Sequence, residues 1–176
     1  MKKLLFLIFS FGSFSAFAQT NLDQDLEQST LIKVGAAAPA VHFKTIDGKD
    51  FDLKDARGKI VLIDFFATWC GPCIAEMPHL QNEIWSKFKD KNFVMVAIDR
   101  EESEQVVKDF QSKRQFGFSI ACDPKREIYS KFATKYIPRN FLIDANGQIV
   151  FQSVGYTESD FNNLVTAVEK ETVKSR

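Results

Sequence analysis

The chain has 176 residues with 23 basic and 23 acidic side chains, is 45% hydrophobic, and contains 18 phenylalanines. A chain of this length suits one domain with a single core, and no internal repeat or second domain boundary is visible. The even charge balance, without a basic patch, argues against nucleic acid or anionic lipid as the main partner.

The N-terminus speaks to the compartment. Met1-Lys2-Lys3 is a short positive stretch, and Leu4 to Phe17 follows without a charge. Ala16-Phe17-Ala18 before Gln19 forms the small-x-small pattern of a signal peptidase site. Residues 1–18 therefore read as a signal peptide, with the mature chain beginning at Gln19 in the periplasm or another extracytoplasmic space. The apolar run falls short of the ~20 residues that span a bilayer comfortably, which leaves a retained membrane anchor as the lesser alternative. Residues 19–33 are polar and weakly patterned, a spacer or short helix rather than part of the core. The domain itself is expected over residues 34–172.

Within it, Val41 to Thr45 and Lys49 to Leu53 alternate around Asp47-Gly48, the pattern of a hairpin. Lys59 to Ala67 is a nearly continuous apolar run rich in β-branched and aromatic residues, expected of a strand buried on both faces. Ile74, Met77, Leu80, Ile84 and Phe88 recur at helical spacing over residues 74–89. Phe93 to Ile98 is a second buried strand. Ser103 to Phe116 predicts a helix, Phe118 to Ala121 a short strand, and Pro124 to Ala133 another short helix. Phe141 to Asp144 and Ile149 to Val154 flank Asn146-Gly147 as a second hairpin. Thr157-Glu-Ser-Asp160 then opens the last helix with a capping-box-like spacing. Alternating strands and helices before a closing hairpin predict an α/β fold, a mixed sheet with helices on both faces and a hairpin at its N-terminal side.

Chemistry concentrates at Cys70-Gly-Pro-Cys73, where a buried strand hands over to a helix. A thiolate is the nucleophile in disulfide exchange, and a helix N-terminus favours its negative charge. That location activates Cys70 as nucleophile and leaves Cys73, one turn further in, to resolve a mixed disulfide. Gly71 permits close approach, and Pro72 pre-sets the first helical turn. A structural disulfide across two residues would close almost no loop entropy. A zinc site lacks ligand spacing, because Cys122, His42 and His79 are scattered. No metal and no cofactor are expected.

Asp64 interrupts the apolar strand six residues before Cys70. A carboxylate buried there would have a raised pKa suited to proton transfer; a solvated strand edge is the plainer alternative. Glu76 follows Cys73 by three residues, which keeps it on the same side of the helix, unless it is simply an exposed helix glutamate. Cys122 reads as a buried free thiol, Trp85 as packing, and both histidines as ordinary surface or edge residues.

The segment Ile63-Asp-Phe-Phe-Ala-Thr-Trp-Cys-Gly-Pro-Cys73 resembles the active-site strand and motif of thioredoxins. The wider frame (Val34-Gly35, Pro39, Phe43, Asp47-Gly48-Lys49, Gly58-Lys59-Ile60-Val61-Leu62 and Phe141 to Gly147) is similar to TlpA/ResA-like extracytoplasmic thiol–disulfide oxidoreductases, over about residues 34 to 170. The resemblance implies a thioredoxin-like three-layer fold and a Cys70–Cys73 redox disulfide. It makes Asp64 a proton-transfer group and Glu76 a tuner of the cysteine pair. It also implies a cis-proline loop at Ile137-Pro138 that binds substrate backbone, with Trp69, Gly71 and Pro72 completing the contact surface. Arg139 departs from the small or β-branched residue common after that proline, which suggests a preference for acidic partners. Expected partners are protein or peptide thiols and disulfides, with a membrane dithiol carrier as reductant and a monomeric protein. Reduction of disulfides, including those of apocytochrome c, is the direction the resemblance favours. A disulfide-forming oxidase and a redox-inactive chaperone or binding module are the alternatives. A peroxidase fits less well, since the Pro-x-x-x-Thr-x-x-Cys context of peroxiredoxins is absent around Cys70.

Overall fold

The structure is a computed structural model that describes residues 24–175. The signal-peptide reading of residues 1–18 lies outside them. Residues 24–28 form a short helix, α1. A hairpin of β1 (His42–Lys44) and β2 (Asp50–Asp52) follows, then β3 (Ile60–Phe66), buried at every position. The central sheet adds β4 (Phe93–Asp99), β5 (Ser119–Cys122), β6 (Arg139–Ile143) and β7 (Ile149–Val154) in the order β5-β4-β3-β6-β7. Pairings β3–β4 and β4–β5 are parallel, whereas β3–β6 and β6–β7 are antiparallel. A bridge between Thr45 and Ala121 ties the hairpin loop to the β5 edge.

Strand parity divides the core. Ile60, Leu62 and Phe66 face one layer, and Val61, Ile63 and Phe65 face the other, because successive side chains point to opposite faces. The first layer is closed by α2 (Gly71–His79), α4 (Glu104–Arg114) and α5 (Glu158–Lys174), which contribute Met77, Val107, Phe161, Leu164 and Val168. The second is covered by the hairpin and two 3-10 turns, Leu53–Ala56 and Tyr129–Lys131. There Phe65 packs its ring against Tyr129, Phe132 and Phe141.

Pro78 lies inside α2, and the helix widens into a π-helical turn over Leu80–Trp85 before a last α-turn, α3 (Ser86–Phe88). Proline has no N–H to donate and its ring crowds the preceding turn, so the ladder re-forms in a looser register. Thr157 caps α5 by accepting from the Asp160 amide at 3.1 Å. Trp85 packs against Gly117, where an added Cβ would stand 2.4 Å from the indole ring. Gly117→Ala should therefore cost about 1–3 kcal/mol by overpacking, read as a lower denaturant midpoint with an unchanged slope.

One expected element changes. The helix expected over residues 124–133 is only the 3-10 turn at Tyr129–Lys131. Arg126 adopts a left-handed φ of 58°, and the Asp123 carboxylate instead accepts from the amides of Ile128 and Tyr129 at 2.8 and 2.7 Å. A local side chain thus takes donors that a helix would have used. In the segment expected as a spacer or short helix, residues 24–28 form the short helix, Ser29 and Thr30 are buried, and Thr30 bridges Ala133.

Candidate active site

β3 ends at Phe66, and the chain turns through Ala67, Thr68 and Trp69 into Cys70, the N-cap of α2. Cys70 and Cys73 are joined by a disulfide. The Cys73 amide donates to Cys70 Sγ at 3.3 Å, so the sulfur sits on the orphan donors of the helix start. In the reduced state the same amide and the helix dipole would favour a thiolate on Cys70 over one on Cys73. Trp69 is 60% exposed beside the pair, and Gly71 and Pro72 are exposed at the helix tip. Cys73 is buried.

The loop before β6 closes the other side. Ile137-Pro138 is a cis peptide, and the Ile137 carbonyl lies 3.8 Å from Cys70 Sγ. Pro138 itself is buried while Tyr136 is open to solvent. An exposed tryptophan, the helix tip and the Ile137 carbonyl thus lie around the Cys70 sulfur.

Beneath the disulfide lies a buried polar cluster. Asp64 shares strand parity with Leu62 and Phe66, so its side chain enters the layer that holds α2. Its register partner across β3–β6 is Asn140, and the Asn140 side-chain amide donates to Glu76 Oε1 at 2.7 Å. Asp64 Oδ1, Glu76 Oε2 and Asn140 Oδ1 accept no hydrogen bond among the described residues. Burial pushes the Asp64 carboxyl well above the usual range, and the neighbouring Glu76 adds to it. Burial likewise raises Glu76, against the Asn140 hydrogen bond, to about 7. Neither acid is the solvated group of the plainer readings. Both acids are thus buried in the layer that holds α2, with Glu76 one helical turn from Cys73.

Residues 34–152 match the AhpC/TSA family. The chain is 36% identical over 124 residues to the thiol-disulfide oxidoreductase ResA of Bacillus thuringiensis, covering 70% of this chain and 71% of the relative. A solution structure from Bacteroides thetaiotaomicron, described as a candidate protein disulfide isomerase, superposes with a TM-score of 0.79 at 34% identity, covering 82% of this chain and 93% of that one. The thioredoxin domain of a thiol-disulfide oxidoreductase from Bacteroides vulgatus follows at a TM-score of 0.69 and 25% identity, covering 80% and 99%. The chain belongs to the AhpC/TSA family, among its ResA-like thiol–disulfide oxidoreductases.

For a ResA-like oxidoreductase the remaining polar groups near the pair matter, and sequence reasoning missed several. Asn140 was hidden in an apolar strand, although its parity with Leu142 marks the cysteine-helix face. Glu102, 34 residues from Thr68, accepts from the Thr68 amide at 2.6 Å and its hydroxyl at 2.8 Å. It thereby clamps the turn that delivers Cys70. Burial, with Glu102 beside it, lifts Asp99 to about 8, while Asp99 Oδ1 accepts from the amides of Glu101 and Glu102 at 3.0 and 2.7 Å. Burial raises Glu102 too, but the bonds from Asp99 and Thr68 outweigh it and hold the group below its usual value. Glu102→Ala should strand both Thr68 donors and cost about 1–3 kcal/mol in chemical denaturation, with Glu102→Gln losing less.

Arg139 does not point toward a partner. It has the parity of Phe141 and Ile143, opposite the cysteine helix, and is fully buried. The expected preference for acidic partners through Arg139 is therefore withdrawn. Cys122 is a free, half-buried thiol pushed up to about 12, first by burial and then by Asp99 and Glu104, which leaves it unreactive at neutral pH. His42 is exposed near Asp50 at 3.8 Å, and His79 pairs with Glu83 at 2.7 Å beside Tyr156. No helix among the described residues is long and apolar enough to cross a membrane.

Proposed function

We propose that the chain reduces protein disulfides outside the cytoplasm. Reduced Cys70 attacks a substrate disulfide as thiolate, forming a mixed disulfide and releasing one substrate thiolate. Cys73 then loses its proton to a buried carboxylate of the Asp64/Glu76 pair and attacks Cys70 Sγ. The second substrate thiol leaves, and the Cys70–Cys73 disulfide remains. Two electrons pass to the substrate, so a dithiol donor, in this reading a membrane dithiol carrier, must restore the pair. Trp69, Gly71, Pro72, Ile137 and Pro138 hold the substrate backbone at the sulfur. The reading takes the protein as a monomer with residues 1–18 removed and the redox domain running over 34–172.

The single observation that carries it is the disulfide at the start of α2, set above two buried acids. Its Cys70 sulfur is contacted by an amide and lies 3.8 Å from a carbonyl, and Glu76 sits one helical turn from Cys73. The reductive direction is the one that the resemblance to ResA-like proteins favours. Titration against glutathione tests the direction. The pair should equilibrate nearer the roughly −270 mV of thioredoxin than the roughly −120 mV of a strong oxidase. A value at the oxidising end would assign the chain to disulfide formation instead. Sequencing the N-terminus of the exported protein tests the start at Gln19.

A further inference from the structure

The buried arginine after the cis-proline has another use. The Arg139 guanidinium is fully buried, yet among the described residues every hydrogen bond it donates goes to a neutral oxygen. Nε donates to the Lys135 carbonyl at 2.8 Å, Nη1 to Thr30 Oγ1 at 2.8 Å, and Nη2 to Ser29 Oγ. A buried cation without a carboxylate is a costly arrangement, held here by hydroxyls from a segment 109 and 110 residues away. That segment makes further contacts with the same loop. The Thr134 amide donates to the Ser29 carbonyl at 2.9 Å, and the Leu31 amide to the Phe132 carbonyl at 2.9 Å. Asp25 accepts from Lys135 Nζ at 2.8 Å and from the Tyr136 hydroxyl.

Those contacts converge on Tyr136, which adopts a left-handed φ of 68° directly before Ile137-Pro138. A tyrosine there is strained and persists only where its surroundings over-determine it. Tyr129 supplies one restraint, its hydroxyl donating to the Tyr136 carbonyl at 2.7 Å. The remaining side-chain restraints come from Asp25 and, through Lys135, from Arg139.

We propose that residues 25–33 form a strap that positions the substrate-binding turn 136–138, with Arg139 as its latch, so that the strap sets affinity for the substrate chain. Arg139 is a positioning residue: it touches neither sulfur nor substrate. The proposal rests on the reading of that turn as the place where substrate backbone binds, and it makes the N-terminal segment part of the active site's support rather than a tether.

The test uses the full mature chain carrying Ser29→Ala with Thr30→Ala, or Asp25→Asn alone. Turnover is measured with a peptide containing one intramolecular disulfide, and in reverse with the same peptide as dithiol. A wrong assignment of electron flow then leaves the KM comparison intact. Loss of the two hydroxyls should raise KM roughly tenfold. The rate of Cys70 alkylation by iodoacetamide and the equilibrium with glutathione should stay unchanged. Ser29→Thr with Thr30→Ser should restore the wild-type KM, which a general loss of stability would not predict. Asp25→Asn, at a half-buried site, covers the case in which the double variant does not fold, and should raise KM about threefold. Unchanged KM in a folded variant overturns the strap. So does a shift in alkylation rate or potential as large as the shift in KM.

Discussion

Removal of Cys70 should abolish disulfide exchange, and removal of Cys73 should instead arrest it at a mixed disulfide. The asymmetry follows from placement. Cys70 caps α2 with its sulfur on the Cys73 amide and beside the Ile137 carbonyl and keeps 5% exposure, whereas Cys73 lies one turn deeper at 1%. Cys70, at the helix tip, is the one expected to meet a protein disulfide. Cys70→Ala should lower turnover about 1000-fold or more, to the rate of the solution thiols present. Cys73→Ala keeps the attack but loses resolution by a neighbouring thiol, whose effective molarity is of the order of 10⁵ M or above. Substrate should therefore accumulate covalently on Cys70, visible on non-reducing gels and by mass. Trapping through Cys73 in the Cys70→Ala protein would reverse the two roles. Full activity of both variants in cells would favour a binding module that uses the groove beside Pro138.

Neutralising the buried acids should stabilise the protein while slowing its cycle. Burial lifts Glu76 from its ordinary 4.5 to about 7. Below about pH 4.5 folded and unfolded chains both hold this proton; between about 4.5 and 7 only the folded chain does. Stability therefore falls as pH rises through that window and levels off above it. Glu76→Gln cannot titrate, and its amide oxygen can still accept from Asn140. Its advantage over the wild type should grow from near zero at pH 4 to about 3 kcal/mol above pH 7. Asp64 contributes in the same direction, its proton held above the usual carboxylate range by burial. Denaturant titrations from pH 4 to 8 measure the slope directly. A wild-type slope no steeper than that of the variant would mean that Glu76 is ordinary. In the same proteins, Asp64→Asn combined with Glu76→Gln should slow Cys73-dependent release about 100-fold or more, because the step loses its proton acceptor.

Much of this site is legible in the residue order because its logic is local. The Cys-Gly-Pro-Cys spacing at a strand-to-helix junction needs only the helix dipole and the orphan amides of a first turn. Asp64 announces itself as a carboxylate in an otherwise apolar strand, and Glu76 as a residue one turn from Cys73. The hairpins and buried strands follow from alternation and turn dipeptides. Where local reasoning failed, a side chain had taken the backbone's donors. Asp123 collects the amides that would have continued a helix into Tyr129. The polar look of residues 25–33 concealed hydroxyls meant for a buried guanidinium.

Sequence alone determined the fold class, the cysteine pair, the strand that carries Asp64 and the helix that carries Glu76, since each depends on neighbours within a few positions. Tertiary structure decided what those groups face. Strand parity and the β3–β6 register set Asp64 beside Asn140 and bring Glu76 onto it, which gathers two acids distant in sequence into one buried polar cluster. The same parity sends Arg139 to the opposite layer and onto the N-terminal segment. Glu102 reaches Thr68 only because β3 and β4 lie side by side. Desolvation and long-range hydrogen bonds arise from chain segments far apart in sequence, and no local pattern encodes them.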